Sequence, residues 1–242
     1  MKPVRYVSLI ALAFILKAPA TALADQHYEV SGSDSFTIGA GDIRSEVSYQ
    51  GSETLSMRHK GSLTRYAAHV DYTRSDQGAA AAATGDYVCD VSAAGDQVDA
   101  ADHDPDYLTV LNQPFSVQLD GPTLRDIRAL RVPLPFDFPS PFTASSLHGS
   151  LERIAGGPLG SHRTVGVRFA AGGPMHGSLP DRPGLVLAGT IAMRGTAYYD
   201  LDTALLLVLD ATVTISGKLS DRHDADPVTI VYRRVMRADG PH

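Results

Sequence analysis

Apolar side chains at every second position are the feature that most limits what this chain can become. From Leu205 to Ile215 the odd positions (Leu205, Leu207, Leu209, Ala211, Val213 and Ile215) read as one unbroken apolar face. Side chains alternate sides along a strand but recur every 3.6 residues in a helix, so a period of two builds sheet. Opposite that face, Asp210, Thr212, Thr214 and Ser216 turn polar only in the second half. The pattern predicts a strand buried on both sides early and half-exposed later. Residues 204–209 also suit the start of a buried helix, since Leu and Ala favour helix. The β-branched Thr212-Val213-Thr214-Ile215 that follows without a break favours strand.

The same rhythm recurs along the chain. Leu185, Leu187, Ile191, Met193 and Ala197 precede a turn at Asp200-Leu201-Asp202, and a polar loop at 218–227 leads to a strand from Val228 to Met236. Earlier, Ile43, Val47 and Tyr49 oppose Arg44, Glu46 and Ser48, while Tyr66, Ala68, Val70 and Tyr72 oppose Arg65, His69, Asp71 and Thr73. Turn chemistry at Gly51 and at Arg58-His59-Lys60-Gly61 makes residues 43–74 two long antiparallel strands or three shorter ones. Helix is expected at 122–130, where Pro122 suits a first turn and Leu124, Ile127 and Leu130 share a face. Asp120 or Thr123 would cap it, and a shorter helical turn is expected near 106–111. Residues 78–86 have little side chain to bury and read as an edge or a loop. Pro133, Pro135, Pro139 and Pro141 keep 132–142 from being helix or central strand, because they remove donors and fix φ. The expected fold is mainly β with minor α: a strongly bent antiparallel sheet or half-barrel packed on a short helical insert at 105–131.

Residues 1–24 read as a secretory signal peptide. Lys2 and Arg5 precede the apolar run Val7 to Leu16, and Ala22-Leu23-Ala24 supplies a cleavage pattern, leaving 25–242 as one β-rich domain. The run is about half of the roughly 20 residues that cross a bilayer, so no transmembrane segment is expected after the leader is removed. The protein is then periplasmic or secreted. Removal takes three of the 21 Lys and Arg and none of the 27 Asp and Glu, moving the net charge from −6 to −9. Nucleic acid is a poor partner for such a chain, because that affinity comes largely from cations on phosphates. Cys89 is the one cysteine, so no internal disulfide forms and a packed thiol is expected.

Motifs for chemistry are sparse. Asp96, Asp99, Asp102, His103, Asp104 and Asp106 crowd one segment, and Asp102, Asp104 and Asp106 have the opening rhythm of a calcium loop. Tyr107 and Gln113 then stand where that loop needs Gly and Glu, and an acidic turn leading into a helix accounts for the cluster equally. His223, Asp224 and Asp226 form a second polar group before the last strand. No nucleophile elbow, zinc spacing, phosphate loop or dinucleotide fingerprint is recognisable, so no catalytic residue is assigned and no cofactor is expected. Phe136, Phe138 and Phe142 among the prolines suggest either the apolar lip of a pocket or a cover over one end of the sheet.

Taken together, the leader, the alternating strands at 43–74, the helix-bearing insert near 122–130 and the Gly195–Leu207 stretch entering a long strand carry a family resemblance. The chain resembles exported bacterial half-barrel proteins of the outer-membrane lipoprotein carrier (LolA-like) type, across residues 27–237. The resemblance implies a bent sheet folded over short helices around an apolar cavity for lipids or acyl chains, and it transfers no residue by position. The expected function is a non-enzymatic binding or carrier protein for an apolar or amphipathic small molecule. Leu124, Ile127 and Leu130 from the helix, Phe136 and Phe138 from the rim, and Leu205, Leu207 and Leu209 from the sheet are the candidate lining. Two alternatives stand beside it. One is a cell-envelope structural or interaction protein docking an envelope partner through 132–142, and the other is a metal-dependent hydrolase built on the Asp96–Asp106 loop.

Overall fold

A computed structural model describes residues 25–239 apart from 40, 42, 93–96, 114–120, 130–131, 140–145, 157, 160–161, 180–181 and 222–223. Residues 1–24, where a leader is expected, therefore lie outside the described residues, as do Asp96, Asp120, Leu130, Pro141, Phe142 and His223. The first five strands are β1 (Gln26–Ile38), β2 (Ile43–Lys60), β3 (Leu63–Asp76), β4 (Ala79–Ser92) and β5 (Gln97–Asp102). A 3-10 turn (Val110–Asn112) and one helix, α1 (Gly121–Ala129), follow. The chain then forms β6 (Leu134–Pro139), β7 (Ser146–Ile154), β8 (Pro158–Leu159), β9 (His162–Leu179), β10 (Arg182–Asp200), β11 (Leu206–Ser220) and β12 (Ala225–Ala238).

The strands pair antiparallel in the order β5-β4-β3-β2-β1-β12-β11-β10-β9-β7-β6, with β8 pairing only β9. First and last strands meet at the centre, where Tyr28 lies opposite Ala238 and Ile38 opposite Val228. The two outermost strands, β5 and β6, do not pair with each other, so the sheet is open. One face carries the core. Val47 and Tyr49 of β2, Val70 and Tyr72 of β3, Val167 and Phe169 of β9, and Ile191 and Met193 of β10 are all buried on it. Among the described residues outside the sheet, the buried apolar ones are Leu108, Val110 and Leu111 around the 3-10 turn and Leu124 and Ile127 of α1. Twist bends an antiparallel sheet of this width, so the inward side chains of its strands and the residues of the insert join in one core cluster.

Several expectations are corrected in detail. Gly51 is no turn: it pairs with Tyr72 inside β2, where a methyl group would collide with the Asp71 carbonyl. The turn comes at Gly61, whose φ of 64° suits a residue without Cβ. The polar loop at 218–227 shrinks, because Lys218, Leu219 and Ser220 still pair with Pro227, Asp226 and Ala225. A backbone ladder does not require apolar side chains. The apolar run 205–215 is not unbroken either. Tyr199 pairs with Leu206 and Tyr198 with Val208, so Leu207 is the extra residue of a β-bulge and Leu206 takes the inward place. The later half behaves as expected, with Leu209, Ala211, Val213 and Ile215 buried and the intervening residues half-buried.

Other expectations match. Residues 43–76 are two long strands, and the helix occupies 121–129. The proline-rich stretch does form a strand, β6, but at the edge of the sheet where missing donors do no harm. Residues 79–85 of β4 extend past the end of β5 and are an edge locally, since β5 pairs only with Tyr87–Val91.

Candidate functional site

The inner face holds charged groups where alternation calls for apolar ones. Asp34 on β1 shares the parity of Tyr28 and Val30, Glu53 on β2 that of Tyr49 and Leu55, and Arg234 on β12 that of Ile230 and Met236. All three are nearly sealed from water, at 5 %, 1 % and 3 % exposure. Burying an ionisable group costs several kcal/mol unless partners compensate, so each must have a role in the structure. Arg234 and Glu53 bond directly to residues 103–113, which follow β5, and Asp34 pairs with Arg234.

Arg234 holds that segment by its backbone. Its Nη1 donates to Asp34 Oδ1 at 2.6 Å, its Nη2 to the Asp106 carbonyl at 2.6 Å and its Nε to the Tyr107 carbonyl at 3.2 Å. The guanidinium also lies over the ring of Tyr49, 5.0 Å from the centroid, which adds a cation–π contact. The one hydroxyl proton of Tyr49 is shared between Asp34 (2.9 Å) and Asp106 (3.1 Å), and Tyr72 donates to the other Asp106 oxygen at 2.6 Å. Burial, then the nearby Asp34, push the Tyr49 phenol far above its ordinary range. It stays a donor. Tyr107 adopts a left-handed conformation (φ 53°), rare for a residue with a side chain, and this turns its carbonyl toward Arg234 and the Gln113 amide.

A second fastening lies deeper. Both oxygens of Glu53 stand 2.9 Å from the Val110 amide, the first residue of the 3-10 turn. Asp104, 2 % exposed, accepts from the Thr109 amide through Oδ2 at 2.6 Å, while its Oδ1 is buried without a hydrogen-bond partner. Burial raises Glu53 to about 8 against the pull of the Val110 amide, with Asp104 adding to the rise, and burial raises Asp104 as well. Gly85 makes room for this carboxyl: a Cβ there would stand 2.7 Å from Asp104 Oδ1.

The calcium-loop candidates point three ways. Asp102 accepts from the Asp104 amide and from Asn112, Asp104 faces Thr109 and Gly85, and Asp106 receives the two tyrosines. Among the described residues no group of three or more His, Cys, Asp or Glu is placed to hold a metal ion. Cys89 is buried in β4, and burial raises its thiol to about 11. A separate polar pair joins His162 Nδ1 to Asp200, whose other oxygen caps the 201–205 turn through the Asp202 and Thr203 amides.

Of the candidate lining residues, Leu124, Ile127, Phe138 and Leu209 join one core cluster with Phe136 packed against it. Phe138 sits against Phe136 (4.8 Å between centroids) and Phe169 (6.1 Å). Leu207 is buried outside that cluster and Leu205 is half-buried, both displaced by the bulge. A separate open groove of about 480 Å³ is lined by Ala170, Ala171, Ala192, Met193, Arg194 and Thr214 of β9, β10 and β11. Asp34, Glu53 and Arg234 are not among the sequence candidates; only Arg234, charged at the apolar parity of the strand expected from Val228 to Met236, carries a local signal. No helix among the described residues is long and apolar enough to cross a membrane. The chain matches no protein-family model and no curated protein.

Proposed function

We propose that this chain is an exported, non-enzymatic binding or carrier protein for an apolar or amphipathic ligand. The ligand would lie against the inner face of the curled sheet, beneath the cover formed by residues 103–113 and α1. One observation carries the reading. The apolar face is covered by a short segment hung on a few polar fastenings, whereas a purely structural β-protein usually closes such a face with a second sheet. A cover of that kind separates from the sheet at far lower cost than a packed layer. Leu124, Ile127, Phe138 and Leu209 would become the ligand's contacts once the cover is displaced, with Phe136 at the rim.

Native mass spectrometry of protein purified from its own compartment tests this. A consistent extra mass that organic solvent extracts supports the reading. Ligand-free protein that also takes up no fluorescent fatty acid or phospholipid from vesicles would end it.

A further inference from the structure

The fastening at Glu53 differs from the one at Arg234 in a way that bears on when the cover opens. Arg234 and Asp34 compensate each other at 2.6 Å, and Asp106 has two hydroxyl donors. Glu53 and Asp104 have no cation. Neither meets a Lys, Arg or His among the described residues: Glu53 is bonded to the Val110 amide, and the Asp104 carboxyl to the Thr109 amide, with Leu108 and the Thr109 side chain also acting on it. The ionisable groups that face them are Tyr28 of β1 beside Glu53, and Asp102, Tyr72 of β3 and Tyr107 beside Asp104, while Glu53 and Asp104 also act on each other. Tyr28 is itself fastened, donating its hydroxyl to the Leu206 carbonyl at 2.9 Å. Every ionised form of these neighbours is negative. Two dry carboxyls without a counter-charge cannot both ionise in place.

We propose that Glu53 and Asp104 form a proton-operated latch, which seats residues 103–113 on the inner face when protonated and releases them when both carboxyls are charged. A protonated Glu53 still accepts from the Val110 amide through one oxygen, so the 3-10 turn remains capped. Loss of that proton places two negative charges at Thr109 and Val110, while Arg234 still holds the Asp106 and Tyr107 carbonyls. The segment then swings away at Val110 and hydrates both carboxylates, while the sheet stays intact. The predicted range agrees with the rise of Glu53 to about 8. The inference rests on the cover described above but needs no ligand.

Amide hydrogen exchange on delipidated full-length protein tests the latch, corrected for intrinsic exchange at each pH. Protection at Val110 should fall at least tenfold between pH 6 and pH 9, while the central pairs of β10 and β11 keep theirs. In Glu53→Gln, whose amide accepts from Val110 at every pH, protection should stay level within twofold. Asp104→Asn, which removes one of the two charges, should move the fall to higher pH. The latch is overturned if wild-type protection at Val110 holds through pH 9, a result independent of either variant's folding. A parallel fall in Glu53→Gln, or loss at β10 and β11 together with Val110, overturns it as well. Because ligand recovery is measured separately, failure here leaves the carrier reading standing, and the reverse also holds.

Discussion

Arg234 donates its Nη2 to the backbone carbonyl of Asp106 at 2.6 Å, tying the last strand to a segment 128 residues earlier. The same guanidinium neutralises Asp34, so one side chain fixes both the charge of the inner face and the path of its cover. Replacing it with Met should leave Asp34 buried and unpaired, at a cost of about 3–5 kcal/mol. Restoring neutrality with Asp34→Asn in the same chain should recover part of that loss, because the penalty lies in the stranded charge. Urea unfolding followed by circular dichroism measures both. Equal midpoints for the single and double variants would show that the carbonyl contacts, not the ion pair, carry the effect.

Gly85 and Asp104 offer a cleaner test of packing. A Cβ on Gly85 would come within 2.7 Å of Asp104 Oδ1 and 2.9 Å of its Cγ, and the Thr109 amide pins that carboxyl. Gly85→Ala should therefore destabilise by about 1–3 kcal/mol, the range for overpacking a filled site. With Asp104→Ala the obstacle disappears, and the double variant should be more stable than the sum of the single effects implies. Additive effects in a thermal unfolding cycle would place the strain elsewhere.

How far the sequence announced this molecule depends on what faces inward. β2, β3, β10 and β11 were legible because their inward positions are apolar and their outward ones polar, the one contrast that periodicity reads. β1 was not: after Tyr28 and Val30 its inward places go to Gly32 and Asp34, which make sense only against Arg234 on β12. β9 hid for a different reason. Its Ala170-Ala171-Gly172-Gly173-Pro174 core looks like a loop, yet it pairs in register with Thr190–Arg194 of β10. The Leu207 bulge was invisible for lack of composition, since four leucines in 205–209 fit either register equally. The fastenings of the cover are long-range pairings of polar groups, and no local pattern encodes them.

Stability should fall as pH rises, and Glu53 is the reason. Burial holds its folded-state proton up to about pH 8, whereas the unfolded chain releases it near 4.5. Between those values the folded protein binds more protons, so its contribution is fully present below the lower value and lost through the upper one. Wild-type protein should lose on the order of 2–4 kcal/mol between pH 5 and pH 8.5, a loss capped by the cost of unseating residues 103–113. Glu53→Gln should flatten that slope. Chemical denaturation across the range gives both curves, and parallel slopes would exclude Glu53 as the source.

Phe138 decides between a covering strand and a docking loop for residues 132–142. Its ring is 2 % exposed, packed edge-on to Phe136 and tilted against Phe169 across the inner face. Such a ring contributes through burial and contact with its neighbours, and its removal leaves a cavity that a strand held by backbone pairing cannot collapse. Phe138→Ala should cost about 3–5 kcal/mol. Val132, 66 % exposed just before β6, serves as the control, and Val132→Ser should stay within about 0.5 kcal/mol of wild type. Loss of this ring should also raise binding of a hydrophobic dye, since the inner face at the β6 edge becomes accessible. A Phe138→Ala protein with unchanged urea midpoint and unchanged dye binding would show that the ring is dispensable to the core and available to a partner. That outcome would move the proposed function from the inner face of the sheet to its edge.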